Sequence, residues 1–180
     1  MPENDITLSR NVLEMTIVAE EFCAFLERCN THSQNDFYRT LQGLIPLLYL
    51  RGHLLPQITP EFPEAAEYFV NEEQWESIFY ALRNLTGSQD EFWYVNDNLS
   101  SFSETIKGSV AENLADTYQD IKNFLLLYKR NSYAARENAI ALCSENFRLH
   151  WGYKLAVILS VIHQIQDSVT NLSFKEDDFF

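Results

Sequence analysis

Leu114-Ala-Asp-Thr-Tyr-Gln-Asp-Ile-Lys-Asn-Phe-Leu-Leu-Leu-Tyr128 is the stretch that decides the fold. Its apolar residues return every three or four positions. With Ala111 before them, Leu114, Tyr118, Ile121, Leu125 and Tyr128 cover one arc at about 100° per residue, the mark of an amphipathic helix. Glu112, Asp116 and Asp120 are spaced by four and fall opposite that arc, so the spacing assigns them to a solvent face. Upstream, Ser101-x-x-Glu104 is a capping-box candidate for the helix start, with Gly108 as a weak point soon after. Downstream, Lys129-Arg130 suits the negative end of the helix dipole.

The same period extends outward in both directions. Met15, Val18, Phe22, Phe25, Leu26 and Cys29 share a face of a first helix over about 8–29, capped by Thr7 or Ser9. A second helix opens at Ser33 or Asp36 and runs to about Leu54. Pro46 inside it removes one backbone donor and predicts a kink or a split. Pro56, Pro60 and Pro63 then make a stiff connector. Asn71, with Gln74 three residues on, predicts the cap of a third helix that ends near Leu85, before Thr86-Gly87 as a left-handed stop. Residues 88–100, holding Phe92-Trp93-Tyr94, read as a loop. Asn131 or Ser132 caps a last helical stretch to about Asp167, with a break near Gly152, and residues 168–180 form an acidic and aromatic tail. The expected fold is all-α: a single domain over 1–180, an antiparallel bundle of about five to seven helices.

Composition agrees and excludes several functions. Glycine and proline number five each in 180 residues, too few turns for a sandwich or barrel. Thirteen Lys+Arg against 26 Asp+Glu give a net charge of −13, which opposes binding to nucleic acid or to anionic membrane. The apolar runs, such as 44–50 and 155–162, are far below the roughly 18 residues that span a bilayer. The N-terminus has neither the basic nor the apolar region of a signal peptide. Cys23, Cys29 and Cys143 form no metal spacing and read as reduced, apolar residues, so a cytoplasmic setting is expected.

Two blocks carry a family resemblance. One is the stretch from Leu114 to Tyr128; the other is Asn146-Phe-Arg-Leu-His-Trp-Gly-Tyr-Lys-Leu155 with Ile162-His163. Both resemble an uncharacterised all-helical bacterial family, a domain of unknown function. Glu21-Phe-Cys-Ala-Phe-Leu-Glu27 and Leu44-Ile-Pro-Leu-Leu-Tyr49 are similar to its N-terminal half. The resemblance implies an all-α fold and a bacterial, cytoplasmic setting. It brings no activity, ligand or site residues with it.

The candidate sites are few. Glu72-Glu73-Gln74-Trp75-Glu76 spells the EExxE that, on helical magnesium-dependent nucleotide hydrolases, is completed by ExxD on the next helix. Here the next helix offers Glu112-x-x-x-Asp116, one residue too long. No His has Glu three residues before it, as a di-iron bundle requires. His163 and Asp167 share a helix face and supply two ligands at most. No GxSxG and no phosphate loop occurs. No metal and no cofactor is therefore expected, and the chain reads as a non-enzymatic adaptor that binds a basic protein partner. Trp93 and Tyr94 in the loop, and Phe179 and Phe180 in the tail, are the candidate contact residues. A metal-dependent nucleotide or phosphoester hydrolase using Glu72, Glu73 and Glu76 is the alternative.

Overall fold

The computed structural model describes residues 5–96, 104–130 and 132–177, and among them the fold is six α-helices and one two-stranded sheet. α1 spans Arg10–Glu27, α2 Gln34–His53, α3 Glu72–Thr86, α4 Val110–Tyr128, α5 Tyr133–Asn146 and α6 Gly152–Asp177. α4 is the axis. Glu27 of α1 accepts from Tyr118 and Lys122, while Thr7, before α1, accepts from Tyr128 at the other end of α4, so α1 and α4 are antiparallel. Asp120 meets Asn146, and Asp116 meets Lys154, which sets α5 and α6 antiparallel to α4 as one rod. α2 joins α1 through the Glu14–Arg51 ion pair and α6 through Asn35–Gln166.

Most of the expected helices form where their signals lie. The Asn71–Gln74 capping box is complete, at 2.9 and 3.1 Å, and α3 stops at Gly87, whose φ of 53° is left-handed. Ser33 and Ser132 cap α2 and α5. Ser9 stands at the start of α1 without a side-chain cap bond; Asp5 instead caps a short 3₁₀ turn, Ile6–Leu8, that precedes it. The core is the continuous inward stripe of these helices, with Trp151, Phe22, Phe37, Met15 and Leu114 fully buried.

Three expectations are corrected. Of the kink or split expected at Pro46, the split does not occur: α2 passes through it, with the ring on the exposed side, where a lost amide leaves its carbonyl partner to water. The last stretch does not break at Gly152 but passes through a π turn, Phe147–Trp151, and continues to Asp177, beyond 167. The third correction is the largest. Residues 91–96 and 104–109 are strands β1 and β2, paired antiparallel, and α4 begins at Val110 rather than at Ser101. Phe92-Trp93-Tyr94-Val95 is a β-favouring run, and its alternation decides the matter: Phe92 is buried, Trp93 and Val95 are exposed, and Tyr94 is half-buried.

Candidate functional site

The hairpin stands on Asp90. This carboxylate is 1% exposed and fully employed: Oδ1 accepts from the Ala111 amide (2.8 Å) and the Thr86 hydroxyl (3.2 Å), and Oδ2 accepts from Ser109 (2.8 Å). Its backbone carbonyl takes the Val110 amide. A negative group is thus seated at the positive end of α4, which fixes the entry to β1 against the exit of β2. The Ser109 hydroxyl also accepts from the Glu112 amide, so Ser109-x-x-Glu112 is the true helix start. The sequence offered this second copy of the S-x-x-E pattern eight residues after the one at Ser101.

The register then separates the two aromatic candidates. Phe92 pairs with Gly108, Trp93 with Lys107, and Tyr94 with Ile106. The Phe92 ring lies on the glycine, where a Cβ would come 2.5 Å from Cζ. Tyr94 follows Phe92 inward, with ring centroids 5.7 Å apart, and packs on the core. Trp93 is left outside at 68% exposed, beside the exposed Val95 and above the Lys107–Glu91 ion pair. One of the two is therefore available to a partner and the other is mainly packing. Phe179 and Phe180 lie outside the described residues.

The acids of α4 part company in the same way. Glu112 is exposed, but Asp116 and Asp120 are not on a solvent face, and this corrects the spacing argument. Trp75 donates its indole N–H to Asp116 (2.9 Å), whose other oxygen takes Lys154; Asp120 takes the Asn146 amide (2.9 Å). The residues opposite the apolar arc of α4 are covered by α3, α5 and α6, which periodicity within one helix could not reveal. Burial pushes the Asp120 carboxyl above its ordinary range, against the pull of His150 and Lys154. Beside it is a void of about 10 Å³ that Asn123, Cys143 and Asn146 also line, room for one water at most.

Glu72, Glu73 and Glu76 are exposed in the first turns of α3, where they complement its dipole. Among the described residues no group of three or more His, Cys, Asp or Glu is placed to hold a metal ion. The geometry offers nothing in support of the hydrolase reading. Cys23, Cys29 and Cys143 are buried and free; desolvation pushes the Cys23 thiol up to about 12, far from a reactive thiolate. Among the described residues no helix is long and apolar enough to cross a membrane.

Comparison with known proteins agrees with the fold. The crystal structure of protein BF1032 from Bacteroides fragilis, a structural genomics target, is similar at 32% identity and a TM-score of 0.80, over 90% of this chain and 96% of that one. No curated protein matches. A family described as a domain of unknown function, DUF5063, matches residues 6–168. A match across nearly all of the helical bundle shows that the chain belongs to the DUF5063 family.

Proposed function

We propose that the chain is a non-enzymatic interaction module that docks a basic protein partner on the outer face of β1–β2. The observation that carries this reading is Trp93, 68% exposed on a hairpin whose opposite face is anchored by Phe92 and Asp90. A tryptophan held rigidly in water is the kind of residue that dominates binding energy once covered. The net charge of −13 selects a basic partner and speeds its encounter.

The test is affinity capture from the native cell, followed by titration of the purified partner. Trp93→Ala is expected to weaken binding at least about tenfold. Tyr80→Ala, which removes another exposed aromatic, from α3, should leave it unchanged. A chain ending at residue 178 tests Phe179 and Phe180 in the same assay. A partner that binds Trp93→Ala as tightly as the parent, or that carries no basic surface, overturns the reading.

A further inference from the structure

A cleft of about 600 Å³ lies between the end of α2 and the π turn, and no residue of the hairpin lines it. That volume is ordinary for a small-molecule site. Leu55, Phe147 and Ala141 supply apolar lining, Ser144 and Glu145 stand on α5, and the far wall is the extended segment from Gln57 to Pro60. Among the described residues, the backbone amides of Gln57, Ile58 and Thr59 donate to no acceptor. His53, in the last turn of α2, lines the same space.

Arg148 gives the cleft its chemistry. Every other Lys or Arg whose side chain is described has a carboxylate or a carbonyl partner; Arg148 has neither an ion pair nor a hydrogen bond. In a chain with two acids for each basic residue this is not for want of acids. Glu145 is three residues before it, a spacing that pairs on a regular α-helix. Here the π turn from Phe147 to Trp151 interrupts the regular α-helical period just after Glu145, and both side chains line the cleft without pairing.

We propose that this cleft binds a small apolar monocarboxylate that carries a neighbouring amino or hydroxyl donor, with Arg148 as the anchor of the carboxylate. The planar guanidinium takes a carboxylate through two parallel bonds. Glu145 and the carbonyl end of α2 oppose a dianion such as phosphate and accept from the donor group. Phe147 and Leu55 cover the apolar part.

The test is titration of the full chain with L-leucine and L-phenylalanine, followed by amide chemical shifts. Their amines lacking the carboxylate, and inorganic phosphate, are run alongside. One of the amino acids should bind saturably and shift the amides of Gln57, Ile58 and Thr59. Arg148→Gln should weaken it at least tenfold and Arg148→Lys partly, while Arg28→Gln, a cation outside the cleft, changes nothing. Ala141→Phe, which fills the cleft, should abolish binding in a chain with an unchanged circular dichroism spectrum. Failure of both amino acids to bind, equal binding by the amines, tighter binding of phosphate, or an unaffected Arg148→Gln overturns the proposal.

Discussion

A single carboxyl group shows how far burial can depart from spacing. Asp120 sits among Asp116, Asn146, His150 and Lys154, and its loss of water outweighs the cations near it. Its folded pKa is raised, so the folded chain holds a proton where the unfolded chain has released it. Stability therefore falls as pH rises from the ordinary Asp range, about 3.9, through the folded value, and stays reduced above it. Asp120→Asn removes that loss and keeps an oxygen to accept from Asn146. Its melting temperature should exceed that of the parent at pH 7, by about 2–4 °C for each 1 kcal/mol regained. The gap should narrow as pH falls toward about 4. A lower melting temperature at pH 7 would mean that the attraction of Lys154 and His150 outweighs desolvation after all.

At the scale of elements, the junction between β2 and α4 makes the sharpest claim. Ser109 caps α4 and also donates to Asp90, while Asp90 takes three donors in a buried place. Ser109→Ala should cost about 1–2 kcal/mol, as the loss of a cap does. Asp90→Ala leaves the buried Ala111 amide and the half-buried Ser109 hydroxyl without their acceptor, while Thr86 keeps the Leu82 carbonyl, and should cost more, about 3 kcal/mol. Urea unfolding measures both; the reverse order would show that Asp90 is not the post on which the hairpin stands. The same junction marks where the sequence ceased to be legible. Where cap and apolar stripe coincide, as at Asn71 and Gln74 before α3, the helix start could be placed to the residue. The hairpin could not, because Ser101-x-x-Glu104 and Ser109-x-x-Glu112 carry the same local signal. What separates them is the distant contact of Asp90 with Ala111 and the seat that Gly108 gives to Phe92. Of the candidate contact residues, Trp93 was legible as a spare aromatic. That it faces out while Tyr94 faces in depends on the strand, which periodicity read as a loop. Arg148 was not singled out at all, since its lack of a partner and its place beside the segment from Gln57 to Pro60 depend on contacts between distant parts of the chain.

For the molecule as a whole, the question is whether excess charge or paired charge governs stability. Ten ion pairs are present among the described residues, and in half of them both side chains are about half exposed or more. Such pairs contribute roughly 0–1 kcal/mol each, and salt weakens them. Against them stands a net charge of −13 on a body whose radius of gyration is about 16 Å for this length. At 10 mM salt the screening length is about 30 Å, so the unpaired acids repel one another across the entire bundle. At 150 mM it is about 8 Å, and only neighbours interact. The repulsion is long-ranged and the attractions are short-ranged, so salt removes the first before the second. The melting temperature should therefore rise by a few degrees between about 10 and 150 mM NaCl, then level off as screening falls below the spacing of neighbouring charges. A continued linear rise would point to general salting-out in place of screening. A fall would show that the ion pairs outweigh the excess acid, and with it would go the electrostatic ground for expecting a basic partner at the hairpin.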